Sequence, residues 1–284
     1  MHDQNYNFAF LDEASKREIR RQTLKAVCIP GYQVPFASRE LPIGRGWGTG
    51  GLQLTLSLIG HEDRLKVIDQ GSDDSVNAVS IRRLVEDTTG LTTTEITAEA
   101  TLIQTRHRIP DEPLREDQIM IFQVPRPEPL RDVEPSETVT ARQHGEMDYS
   151  AMWLALYENI VNYGNLTLGA DYPVMVNQRY LMAPSPIPRW DNPKFDQAPF
   201  LSLFGAGREK KIYAIPPFTS VESLHFDDYP FEVENFDGHA CVECGSTSSF
   251  LQTVPAKGGK WIHRCSDTAF CLTVKQSKRA EVGV

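Results

Sequence analysis

Four of the five cysteines in this 284-residue chain fall near its C-terminal end, at Cys241, Cys244, Cys265 and Cys271. A C-x2-C pair followed by Gly245 is the sequence form of a knuckle, in which a tight turn brings two thiolates onto one ion while glycine relieves the backbone. Cys265 follows across a segment that reads as a short hairpin, with residues 249–254 and 261–264 as its arms and a Lys257, Gly258, Gly259, Lys260 turn. Cys271 follows after five intervening residues, where a zinc ribbon would ordinarily close with a second C-x2-C. Two chemistries share this pattern. One is a structural Zn2+ with four sulfur ligands; the other is an iron-sulfur cluster on three cysteines, with the fourth thiol left for chemistry. Spacing alone does not separate them. His239 and His263 flank the cysteines and read as exposed tails of the knuckle.

Other residues offer weaker signals. The glycine-rich run 46–51 has the composition of a backbone nest for a phosphate, or of a close-packed loop, but lacks the Lys-Ser/Thr ending of a nucleotide-binding P-loop. Residues 204–211 place Arg208, Lys210 and Lys211 beside flexible backbone, suited to a phosphate, to an acidic partner surface, or simply to a charged turn. His107 lies between Arg106 and Arg108 near a strand end, and on simple alternation its side chain points away from both arginines. A single histidine there is either structural or a metal or phosphate ligand at a subunit boundary. Asp73 and Asp74 precede a helix start and read as capping residues. Cys28 reads as a small buried apolar residue.

The elements that must position these groups follow from periodicity. Helices are expected over 12–27, 75–86 and 149–163; Asp12 caps the first, and Gly90 and Gly164 stop the other two. The expected apolar stripes are Val76, Val79 and Val85 in the second helix and Trp153, Leu156 and Ile160 in the third. The first helix stops at Ile29, Pro30 and Gly31, and a long loop continues to Gln53. Strands are expected over 52–59, 101–109, 118–124, 174–182 and 212–215. Proline-rich segments at 124–130 and 183–190 read as connectors or surface arms. Helices and strands intersperse without strict βαβ alternation, so the expected class is α+β: a mixed sheet body with flanking helices over 1–235, and a small cysteine-rich metal-binding module with a tail over 236–284. The acidic stretch from Asp227 to Asp237 joins the two, and the separation in sequence between Gly31 and Cys271 motivates the hypothesis of a module that moves relative to the body.

Composition limits the partners. The excess of Asp and Glu (38) over Lys and Arg (29) gives a net charge of -9, which opposes non-specific attachment to nucleic acid or to an anionic membrane. No apolar run has the length of a membrane span, and the N-terminus lacks a basic, then apolar, export pattern. The expected location is the cytoplasm, where disulfides are disfavoured and clustered thiols serve metals or redox chemistry.

Longer motifs carry a resemblance. They are YNFAFLDE (6–13), KAVCIPGYQVPF (25–36), GWGTGGLQ (46–53), KVIDQGSDDSVNAVSIR (66–82), ATLIQTRHRIP (100–110), QIMIFQVP (118–125), PSPIP (184–188) and LFGAGREKKIYAIPPFTSVESL (203–224). With the four cysteines in order, the chain resembles the J-subunit family of bacterial carbon-phosphorus lyase, nearly end to end. The resemblance implies a [4Fe-4S] cluster on Cys241, Cys244 and Cys265, with S-adenosylmethionine (SAM) at its open iron and zinc able to occupy the thiols in aerobic preparations. It implies a glycyl radical at Gly31, where the absence of a side chain permits a flat, unhindered centre, and a thiyl radical at Cys271. The implied substrate is α-D-ribose 1-methylphosphonate 5-phosphate. The implied partners are the PhnG, PhnH and PhnI subunits and the nucleotide-binding subunits PhnK and PhnL. Radical SAM enzymes most often carry C-x3-C-x2-C, which this chain does not, so SAM binding is implied by the resemblance alone.

Overall fold

A computed structural model describes residues 33–35, 49–69, 72–123, 130, 134–163, 174–176, 178, 180–182, 189–206, 211–223 and 233–282. The expected helix over 12–27, Cys28, Gly31, Gly46 to Gly48, Gly207 to Lys210 and most of both proline-rich segments lie outside the described residues.

Six strands form the main sheet: β1 (Gln33–Pro35), β2 (Leu65–Ile68), β3 (Leu102–Thr105), β4 (Ile119–Gln123), β7 (Leu201–Ala206) and β8 (Lys211–Ile215), in the order β1-β8-β7-β4-β3-β2. Strands β2, β3, β4 and β7 run parallel, and β8 is antiparallel to both β7 and β1. Parallel strands are buried on both faces and therefore read as continuous apolar runs. Strand β4 has this character: Ile119 and Ile121 enter one core, while Met120 and Phe122 enter the other. The same alternation sends Leu201, Leu203, Ile212 and Ala214 to the first face, and Phe204, Tyr213 and Ile215 to the second.

The first face is covered by α1 (Thr49–Leu58) and α2 (Val76–Thr89). The second packs aromatic side chains, with Phe122 stacked on Phe204 at 4.8 Å and Phe195 beside both. A smaller antiparallel sheet of β5 (Val174–Val176), β6 (Tyr180–Met182) and β9 (Val221–Ser223) contributes Val174, Val176 and Val221 to that second core. Two more helices, α3 (Glu137–Glu146) and α4 (Ser150–Tyr163), lie between β4 and β5 in the chain. The hairpin β10 (Leu251–Pro255) and β11 (Trp261–Cys265) and the helix α5 (Thr268–Val282) follow. The class is α+β with a mixed sheet, as expected.

The expected strand over 52–59 is a helix, α1. Its alternating leucines mimic a strand, but residues 51–59 are buried throughout, including Gln53, Thr55 and Ser57. The hydroxyls of Thr55 and Ser57 donate to the carbonyls of Gly51 and Gln53 four residues back, at 3.0 and 2.7 Å, so these polar groups are satisfied within the helix. Gly51 permits close approach to the sheet: a Cβ there would stand 2.8 Å from Gln123 Cβ.

Helix α2 lies where expected, with Ser75 accepting from the Ala78 N–H and Gly90 closing it at φ 72°. Its buried face is Ala78, Ile81 and Val85, so the expected stripe is corrected: Val76 is 83% exposed. In α4 the expected stripe residue Trp153 is also exposed. The expected strand over 174–182 divides into β5 and β6 around Gln178, whose φ is 57°.

Candidate metal centre

The knuckle forms because its backbone closes on itself. Gly245 donates to the Cys241 carbonyl at 2.8 Å, Cys241 donates to the Ser246 carbonyl at 2.9 Å, and Gly245 takes φ 72°. Lys278 of α5 donates to the Cys244 carbonyl at 2.6 Å. Register fixes the third cysteine: Leu251 of β10 pairs with Cys265 of β11, and Gly258 and Gly259, both at positive φ, supply the expected turn. The Cys265 N–H then points at Cys241 Sγ, 3.3 Å away. The fourth comes from the first turn of α5, where the Cys271 N–H donates to the Asp267 carbonyl at 3.1 Å.

All four sulfurs lie within 4.8 Å of one another. Cys241 and Cys271 approach to 3.7 Å, and Cys244 and Cys265 to 3.5 Å, with no disulfide between them. Cys241, Cys244 and Cys265 are buried, whereas Cys271 is only partly so. Burial pushes the Cys271 thiol up to about 12, helped by the neighbouring thiols. Burial raises Cys265 as well, opposed by the hydroxyl of Ser249 at 3.1 Å. Burial also acts to raise Cys241, but the backbone N–H groups of Cys244, Cys265 and Glu243 outweigh it and bring that thiol down to about 6. Four convergent sulfur donors are the chemistry that soft or borderline metals take, Zn2+ or the iron of an iron-sulfur cluster. His239 and His263 stack on each other at 4.2 Å, outside the sulfur set.

The module meets the body through buried charge. Arg108, 3% exposed, donates to Asp191 at 2.7 Å and to Asp111 at 3.3 Å, touches Ser266 with its guanidinium and lies over the Phe250 ring at 4.4 Å. The Asp111 N–H donates to Asp267 at 3.2 Å. Asp73 pairs with Lys66 at 3.1 Å, both fully buried, and accepts from the Ala269 N–H at 3.2 Å. Burial raises the Asp73 carboxyl to about 7, against the pull of Lys66 and with the help of Asp267. Asp73 is therefore not a cap for α2, which Ser75 provides; Asp74 instead accepts from the Ser72 hydroxyl.

Residues 4–277 match the family model described as "Phosphonate metabolism protein PhnJ". The chain belongs to the PhnJ family. It is 59% identical over 274 residues to the Alpha-D-ribose 1-methylphosphonate 5-phosphate C-P lyase of Escherichia coli (strain K12), an alignment covering 96% of this chain and 97% of that one. Over 268 residues it is 55% identical to the protein of the same activity from Rhizobium meliloti (strain 1021), covering 94% of this chain and 90% of the relative.

Of the residues expected to act in a PhnJ protein, the structure brings together Cys241, Cys244, Cys265 and Cys271, while Gly31 lies outside the described residues. His107 follows β3 at φ 78°, and this left-handed residue breaks the expected alternation. Its neighbours diverge, Arg106 pairing with Asp69 at 2.6 Å and Arg108 turning to Asp191. Burial and Arg106 both lower the His107 pKa. Sequence reasoning missed Lys66, Arg108 and Asp267. The one available signal was a lysine in the middle of the apolar run 65–68, which a buried strand tolerates only with a carboxylate beside it. Among the described residues no helix is long and apolar enough to cross a membrane.

Proposed function

We propose that this chain is the carbon-phosphorus lyase subunit that acts on α-D-ribose 1-methylphosphonate 5-phosphate by radical chemistry. The observation that carries the reading is 59% identity across 96% of the chain to an enzyme of that name. The four-sulfur cluster supplies a donor set compatible with it.

In this reading Cys241, Cys244 and Cys265 hold a [4Fe-4S] cluster, and these are the three buried thiols. The bound cluster with SAM supplies one-electron reduction and a 5'-deoxyadenosyl radical. Gly31 gives up an α-hydrogen, because glycine alone offers an α-carbon with no side chain to crowd a delocalised radical. Cys271 passes hydrogen to Gly31 and attacks the phosphonate phosphorus through sulfur, expelling a methyl radical that takes a hydrogen atom back from Gly31, leaves as methane and restores the glycyl radical. The ribose 2-hydroxyl then displaces the cysteine sulfur, giving 5-phospho-ribose 1,2-cyclic phosphate and freeing the thiol. PhnG, PhnH and PhnI are the proposed partner subunits, with PhnK and PhnL as nucleotide-binding visitors in the cytoplasm.

A second reading is a zinc scaffold of the same assembly. It is favoured by the presence of all four sulfurs in one cluster, the closed donor set of structural zinc. The test is 5'-deoxyadenosine formation from SAM by the anaerobically reconstituted, reduced protein with its partner subunits, comparing wild type with Cys241→Ala. Formation that depends on Cys241, accompanied by methane, supports the enzyme. A verified iron cluster that yields no 5'-deoxyadenosine supports the scaffold, whereas a Cys271→Ala variant that keeps its metal and loses the chemistry supports the enzyme.

A further inference from the structure

Three of the four thiols are placed by bonds internal to the module. The Cys241 and Gly245 N–H groups close the knuckle, Val242 donates to the His263 carbonyl at 3.0 Å, and Cys265 is fixed by the β10–β11 register. Cys271 is placed differently. It rides on the start of α5, where the Cys271 N–H makes the first bond of the helix, to the Asp267 carbonyl, while the N–H groups of the residues before it have no partners within the helix and must find them elsewhere. Phe270 finds a local one, the Asp267 carboxylate at 2.9 Å. Ala269, two residues before Cys271, finds one 196 positions away, Asp73 of the main body.

Asp73 is well fitted to hold a helix start. It is 1% exposed, its carbonyl accepts from Arg82 at 2.8 Å, and Lys66 reaches its carboxylate while also donating to the Glu95 carbonyl at 2.5 Å. A carboxylate at a helix N-terminus is favoured by the partial positive charge of the exposed N–H groups, and more so when buried. Two residues along, Ser75 caps α2 in the body, so one short segment caps one helix and grips the start of another.

We propose that Asp73 is a positioning residue for Cys271, acting through the Ala269 N–H so that the body, and not the module, sets where the fourth thiol stands. Lys66 holds Asp73 in turn. The arrangement ties Cys271 to the segment that follows β2, while the other three thiols remain the module's own. The inference builds on the distinct role given to Cys271 above, but its test needs neither SAM nor turnover, so the two can fail separately.

The experiment uses the full chain loaded with Co2+ and measures alkylation of each cysteine by iodoacetamide, resolved by peptide mass spectrometry, beside the thiolate-to-cobalt absorption. In Asp73→Ala, Cys271 is expected to alkylate about tenfold faster than in wild type, the scale set by losing a hydrogen bond to a charged group. Cys241, Cys244 and Cys265 stay protected and cobalt stays bound. Asp73→Asn, which keeps an acceptor oxygen, restores most of the protection. Because Asp73→Ala leaves the buried Lys66 without its partner, the double variant Lys66→Met/Asp73→Leu provides a second route with the same expected outcome. An unchanged Cys271 rate in folded variants overturns the proposal. So does a rise at all four cysteines together, which makes Asp73 a general support of the module and not a positioner of one thiol.

Discussion

The sheet body and the cysteine module are held together by different means. In the body, side chains alternate from both faces of the six-stranded sheet into two cores, one rich in leucine and isoleucine and one in aromatic rings. In the module the buried apolar residues are Leu251, Ala269 and three cysteines, with Phe236, Phe270 and Val274 partly buried against the cluster, while Trp261 on the hairpin is 69% exposed. Apolar burial supports the body by itself. So small a core leaves the order of the module to its contacts with the body and to the four thiols, which could be joined through a metal. The comparison teaches that the four-sulfur set sits on the part with the smaller apolar core, and that buried polar contacts carry its placement across the seam.

The strongest way to break this comparison is to remove the metal. Apparent binding energies of structural thiolate sites run to roughly 10–16 kcal/mol, so chelation or Cys241→Ala is expected to abolish hydrogen-exchange protection over 236–275 while strands β2, β3, β4 and β7 keep theirs. Loss of protection in both regions together would mean that they are one cooperative unit. The converse perturbation is Phe122→Ala, in the aromatic core between Phe195 and Phe204. It should cost about 3–5 kcal/mol in denaturant unfolding with metal content unchanged; a fall in metal stoichiometry would show that the module depends on that core.

Smaller effects sharpen the picture within the body. Gly51→Ala forces a Cβ to 2.8 Å from Gln123 Cβ, where backbone also lies within 3.1 Å. Overpacking of this kind is expected to cost about 1–3 kcal/mol, read as a shifted unfolding midpoint; no shift would mean that α1 slides freely on β4. The smallest effect is that of Ser75→Ala. Loss of this cap should cost about 1 kcal/mol by the same measurement, leaving Cys271 reactivity unaltered, because Ser75 contacts α2 and Asp73 contacts α5.

Local signals were legible where one residue type has one dominant use. Gly90 at the end of α2, the turn at Gly258 and Gly259 and the apolar run of β4 stood in the sequence because each answers to backbone angle or burial over a few neighbouring residues. Helix α1 was misread for a physical reason: once every side of an element is buried, the polar residues between the leucines no longer mark a solvent face. Strand β2 was missed because Lys66 interrupts its apolar run, and its partner Asp73 lies beyond the strand's end.

The sequence by itself determined the four-sulfur set. Cys241, Cys244 and Cys265 are brought together by a knuckle and a hairpin whose turn residues are local, and the long motifs carried the family. Only the tertiary structure decided how the fourth thiol is held. The bonds that do so join Ala269 to Asp73 across 196 positions and Ser266 to Arg108 across 158. Carboxylates and guanidinium groups recur along the chain, and nothing in their local pattern selects a partner; burial selects it, because a charge taken out of water must end beside its complement.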